Sequence, residues 1–290
     1  MSLSLADAPA SPLDPRGAFY IVDAVKAGAQ LDRLVRVKND SDTPVNVSLY
    51  VGGAVVRASA LQFNQRGNDP SPIAKWSRVE PATVALAVGA TADAHVRIDV
   101  PADADKGEQL GVVWAETRGT GAASQTVNRV GVRVYLAVAD RPPPSDLALE
   151  SLTASRDPSG GPQVEIAVRN TGRREIEPSG TVAIGGTVSP IAPGLALLPG
   201  ERGTVVAHVA ANVTNQPTLL AVMLQANGTT RHADATVRFP DQAGTRADPI
   251  GLGSSGGASR TGPALLALLV DGVAIMGVAR ARRRSMVRAA

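Results

Sequence analysis

The chain has 290 residues, 29 Lys and Arg against 26 Asp and Glu, three His, no Cys, and a formal net charge of +3. Without cysteine there are no disulfides and no thiolate metal sites, and with only 3% aromatic residues there is little material for surfaces that stack bases or sugars. The basic balance is local: residues 260–290 hold six Arg and one Asp, and the rest carries 23 basic against 25 acidic side chains, so the charge is no nucleic-acid footprint.

Residues 1–15 (MSLSLADAPASPLDP) are expected to be a disordered N-terminus. They lack the charged and then apolar segments of an export signal. Ala6–Ala10 reads as the small-residue end of such a signal, so a start further upstream is expected. From residue 16 the pattern is that of strands. Arg33–Lys38 (RLVRVK), Ala94–Val100 (AHVRIDV) and Arg129–Val138 (RVGVRVYLAV) alternate apolar and polar residues, the period of a half-buried strand. Between them lie turn signals such as Asn39-Asp40-Ser41-Asp42 and Gly119-Thr120-Gly121. Residues 16–138 are therefore expected to form a first immunoglobulin-like β-sandwich.

Ala139–Ser145 (ADRPPPS) reads as a stiff linker. Over residues 146–240 the strand pattern restarts and predicts a second sandwich. A weak repeat supports one plan for both halves. Leu34–Asn39 (LVRVKN) before a polar turn matches Ile166–Asn170 (IAVRN) before Thr171-Gly172. Ala85–Val100, with Gly89 at a turn, matches Ala196–Val209, with Pro199-Gly200 at the turn. Residues 241–261, rich in Gly, Ser, Asp and Pro, read as a flexible stalk. The apolar run that follows predicts a single transmembrane helix over 262–280, with a basic cytoplasmic tail over 281–290. Arg280, Arg282, Arg283 and Arg284 flank its inner end, and Asp271 is an unexplained carboxylate within it. The fold class is thus all-β, two tandem sandwiches followed by one membrane helix, with the sandwiches outside the cell.

Motifs with chemical meaning are weak. His95, His208 and His232 have no metal-ligand spacing. Residues 251–256 fit the dinucleotide fingerprint and 253–257 the nucleophile elbow, but both matches fall in the Gly/Ser stalk, with no strand leading in. No catalytic residue, metal or cofactor is assigned. What remains are polar and aromatic residues beside strand ends, read either as core tryptophans with edge polar groups or as a polymer-binding face.

Several segments in order carry a family resemblance: Asp14-Pro-Arg-Gly-Ala-Phe-Tyr-Ile-Val22, Trp76-Ser-Arg-Val-Glu-Pro81, Val100-Pro-Ala-Asp-Ala-Asp-Lys-Gly-Glu108, Val113-Trp-Ala-Glu116 and Val127–Leu136. Over about residues 14–138 the chain resembles the peptidoglycan-binding domain of the WxL-interacting proteins of Gram-positive bacteria. That resemblance implies a wall-facing, membrane-anchored, non-catalytic protein that binds peptidoglycan or cell-surface proteins. Trp76, Arg78, Glu80, Gln125, Asn128 and Arg129 have the residue types suited to sugar hydroxyls and peptide carboxylates, and are expected to meet at one end of the first sandwich. The plainer reading is that Trp76 is core and Arg129 pairs with Glu80. The alternative function is a structural spacer or an assembly partner for exported proteins without wall binding; a hydrolase is the third reading.

Overall fold

The computed structural model describes residues 1–7, 14–65, 69–120, 125–210 and 212–252. The first half contains β1 (Ser2–Leu5), a 3₁₀ turn (Pro15–Ala18), β2 (Ile21–Val25), β3 (Gln30–Lys38), β4 (Val45–Arg57), β5 (Ala60–Phe63), the short helix α1 (Pro72–Trp76), β6 (Ser77–Glu80), β7 (Thr83–Leu86), β8 (Thr91–Asp99), β9 (Gly107–Thr120) and β10 (Gln125–Val138). One sheet has the order β1-β3-β8-β6. The other runs β2-β10-β9-β4-β5, with β7 also on β4. The second half contains β11 (Leu147–Arg156), β12 (Pro162–Asn170), β13 (Ser179–Ile184), β14 (Thr187–Ile191), β15 (Arg202–His208), β16 (Thr218–Ala226), β17 (Thr229–Val237) and β18 (Ile250–Gly251). Its sheets are β15-β12-β11-β18 and β14-β13-β16-β17. The architecture is all-β, two immunoglobulin-like sandwiches in tandem.

Alternation explains each layer. In β3, Val35 and Val37 are buried while Arg36 and Lys38 are exposed; in β8, Ala94, Val96 and Ile98 are buried and the residues between them are not. The inward residues of both sheets form one core per sandwich: Ile21, Val35, Leu49, Ile73, Val96, Val113 and Val134 in the first, Leu152, Ile166, Ile176, Val182, Leu224 and Phe239 in the second. On the outer face of the first sheet, opposite charges face each other across the ladder. Arg36 is aligned with Asp93 and Asp32 with Arg97, and both pairs are bonded, at 2.6 and 3.2 Å.

The repeat has a physical basis. Asn39 and Asn170 end equivalent strands, and both are fully buried. The Asn39 amide donates to the carbonyls of Thr43, Leu86 and Ala87, and its side-chain oxygen accepts from the Ser41 backbone N–H. The Asn170 amide donates to the carbonyls of Arg174 and Leu197, and its oxygen accepts from the Gly172 N–H. The partner turns hook on identically: the N–H of Gly89 donates to the Asn39 carbonyl and that of Gly200 to the Asn170 carbonyl, each at 3.0 Å. Both glycines have φ near +80° (72° and 84°), where a side chain is strained.

Two segments differ from expectation, and a third lies outside the described residues. Residues 1–15 are not without structure throughout, because Ser2–Leu5 pair antiparallel with Val35–Lys38. The strand is too short for its alternation to stand out in sequence. The expected stalk is held as far as Leu252: Arg246 bridges Ser155, and Ile250–Gly251 pair with β11. The expected membrane helix 262–280 and its flank Arg280, Arg282, Arg283 and Arg284 lie outside the described residues. Among the described residues no helix is long and apolar enough to cross a membrane.

Asn170→Ala is expected to lower the unfolding free energy by about 3 kcal/mol, because two carbonyls and one N–H lose a buried partner. Asn39→Ala is expected to cost about as much. Urea midpoints of the two variants check this.

Candidate functional site

The 3₁₀ turn of the first sandwich starts at Asp14, which caps it by accepting from the Arg16 N–H, and Pro15 presets the first helical dihedral. Arg16 is thereby aimed at the second sandwich. Its guanidinium binds Asp14 at 3.0 Å and Glu175 at 3.3 Å. From the other side Arg174 reaches back to Asp14 at 2.8 Å and Glu108 at 3.1 Å. Glu108 also accepts from the Glu175 backbone N–H at 2.6 Å. All of these side chains are nearly buried, the most exposed being Arg16 at 13%. Beside them Arg133 of β10 pairs with Glu177 at 2.7 Å. The Ala196 N–H adds a backbone bond to Ser59 at the β4–β5 hairpin.

A cavity of about 340 Å³ opens against this knot. Arg16, Phe19, Tyr20, Arg133, Tyr135, Glu175, Glu177, Gln225 and Asn227 line it. The Arg16 guanidinium lies 4.1 Å from the Tyr135 ring centre and that of Arg133 lies 5.4 Å from Tyr20, both within cation–π range. Phe19 is 71% exposed. Glu175 is the unusual member. One of its oxygens, Oε1, is buried with no hydrogen-bond partner. Burial, together with the neighbouring charges of Glu177 and Glu108, pushes its carboxyl up to about 8 despite Arg16. Asp14 goes the other way: burial would raise it, but Arg16 and Arg174 hold it below the ordinary value. Among the described residues, Glu175 shares hydrogen bonds with Arg16, Glu108 and Asn227.

The six residues singled out in sequence fall into two groups, one on α1 and β6 and the other on β10, which belongs to the other sheet. Arg78 and Glu80 of β6 belong to the exposed charge ladder: Arg78 binds Glu80 at 3.1 Å and also Asp99, and Glu80 binds Arg97 at 2.7 Å. Trp76 ends α1 and packs, partly buried, against the first core. Arg129 of β10 binds Glu116 at 2.7 Å, not Glu80. Glu116 is 1% exposed and also takes Arg118 at 2.7 Å and the Tyr50 hydroxyl at 2.8 Å. Burial alone would raise its carboxyl; these donors bring it down to about 2. Asn128 is exposed on the same strand, which Gln125 opens. Among the described residues no hydrogen bond or ion pair joins the two groups.

The cavity residues Arg16, Tyr20, Glu175 and Glu177 were not among the sequence candidates. A signal existed in Arg173-Arg174-Glu175-Ile176-Glu177, four charges around a buried isoleucine, which a solvated turn does not need.

No family model matches the chain, and no curated protein does. Among solved structures it is similar to the Escherichia coli chaperone DraB, at 14% identity over 81% of this chain and 98% of that chain, TM-score 0.42. It is similar to a chain of the Salmonella enterica SafA pilin complex with the SafB chaperone, at 12% identity over 82% and 97%, TM-score 0.44. A third is the periplasmic chaperone SfaE, at 11% over 82% and 99%, TM-score 0.39. The resemblance to WxL-interacting proteins is not upheld: no family model matches the chain. The reading as a membrane-anchored protein that binds peptidoglycan is withdrawn with it. The placement in the cell membrane is withdrawn as well; among the described residues no helix is long and apolar enough to cross a membrane.

Two outcomes are expected. Glu175 keeps its proton in the fold to about pH 8 but loses it near 4.5 when unfolded. The unfolded chain thus binds fewer protons between these values, and stability falls as pH rises through that window. Glu175→Gln should flatten the decline, as read from melting temperatures between pH 5 and 8. Arg129→Ala removes a partner of the buried Glu116 and should cost about 2 kcal/mol, so its melting temperature drops clearly.

Proposed function

We propose that this chain is a non-catalytic assembly partner that receives an extended segment of another protein along β10. What carries this reading is the open half of that strand. β10 is paired with β9 from Gln125 to Val138. On its other side β2 covers only Val134–Val138. Among the described residues no strand pairs with β10 on that side between Thr126 and Arg133. Unpaired N–H and C=O groups on a long edge are a template for strand addition.

The side chains beside this edge suit an alternating apolar segment. Met1, Leu3, Leu5 and Val130 pack against the first core yet stay partly exposed. Inward residues of an added strand would complete their burial, at about 25 cal/mol per Å² of apolar area covered. On the outer face, Gly131 leaves room for Trp114, whose ring atoms stand 3.0 Å from where a Cβ would be. Trp114 in turn meets Phe63 edge-on at 6.2 Å. The edge leads past Arg133 to the cavity, so a docked segment would end against Glu175 and Tyr20.

The test is a panel of decapeptides alternating apolar and polar residues, followed by amide hydrogen exchange. Binding peptides should slow exchange between Thr126 and Arg133, and Val130→Arg should abolish the effect while the chain stays folded. Peptides that bind without protecting this stretch, or no binding at all, would reject the reading.

A further inference from the structure

We propose that the cavity beside Glu175 is a site for a single aliphatic ammonium group, supplied by a lysine side chain of the docked segment. The inference deepens the strand-addition reading and rests on it only for the source of the ammonium.

The charge inventory shows what is missing. Around the knot stand three guanidiniums, Arg16, Arg133 and Arg174, and four carboxyls, Asp14, Glu108, Glu175 and Glu177. The arginines are all engaged. Arg174 is shared between Asp14 and Glu108, Arg133 goes to Glu177, and Arg16 lies between Asp14 and one oxygen of Glu175. The set lacks one positive charge, and the shortage falls on Glu175, whose residue is 1% exposed and whose Oε1 has no partner. A buried carboxyl whose one cation is shared with another acid is held toward its neutral form, in line with a titration point pushed up to about 8.

The groups that face Glu175 from the surrounding elements are Arg16 and Asp14 on the 3₁₀ turn, Glu108 on β9, Arg133 and Tyr135 on β10, and Glu177 and Arg174 on its own segment. Because the arginines are already neutralised by acids, an incoming carboxylate would find no unused cation. An ammonium would find the unpartnered oxygen of Glu175, with Glu177 close by. It would also find the exposed ring of Phe19 along the wall, a surface that attracts a cation. A cavity of about 340 Å³ has room for the end of a lysine stem. Binding releases the Glu175 proton to solvent as the ammonium arrives, leaving one ion pair and no other change in bonding.

The experiment titrates n-butylammonium chloride into the whole chain at pH 8.5 and follows the Tyr20 ring resonances, with n-butanol and sodium acetate as controls. A saturable shift with the ammonium alone is expected. Its apparent affinity should weaken roughly tenfold for each pH unit below about 8, because Glu175 must first lose its proton. Glu175→Gln should remove both the shift and the pH dependence. Equal affinity at pH 6 and 8.5 in the wild-type chain would overturn the proposal, as would a shift by acetate in place of the ammonium, or by none of the three. Protection of Thr126–Arg133 by peptides is a separate readout. An ammonium that binds while no peptide protects the strand leaves this site standing and removes the docking reading; the converse removes the site alone.

Discussion

The arrangement of the two halves depends on one knot of buried charge. Arg16 and Arg174 come from opposite sandwiches: Arg16 binds Asp14 of its own sandwich and Glu175 of the other, and Arg174 binds Asp14 and Glu108, both of the other. Apolar contact would tolerate sliding; bonded ion pairs fix distance and direction at once. Their net contribution to stability is small, since desolvation offsets much of the attraction. What they supply is a defined geometry, which sets the cavity walls and turns β10 so that its open edge leads into them.

Within each sandwich the comparable constraint is a buried asparagine. Asn39 and Asn170 each tie a strand end to a neighbouring turn through both their amide and their main chain. The second asparagine also reaches the knot, because its amide donates to the Arg174 carbonyl. The segment that presents Arg174 and Glu175 is thereby held from below by the fold and from above by the other sandwich.

Much of the architecture was legible in the alternation of Val35, Val37, Val96 and Ile98, since a period of two has few other causes. The Asn39 and Asn170 repeat was visible too, because the same turn problem was met with the same residue. The site was not. Arg129 finds Glu116 across a hairpin whose register no local pattern sets, and Arg16 finds Glu175 at a separation of 159 residues. A local reading cannot see such pairs. The five polar residues grouped by chemical type fell on two sheets, and Trp76 on a helix, for the same reason: type says what a side chain can bind, while strand order says what it stands beside. The arginine-rich end suggested a wall-facing anchor, and that larger inference outran its residues.

The first sandwich begins with a chain that serves both sheets: β1 runs antiparallel to β3 on one, and β2 runs parallel to β10 on the other. These two contacts respond differently to tension. Force on the N-terminus would peel β1 from β3 one residue pair at a time. Force drawn between the start of β2 and the end of β10 would instead shear five aligned pairs together. A load passed along the chain would therefore be borne by the half of β10 that β2 covers.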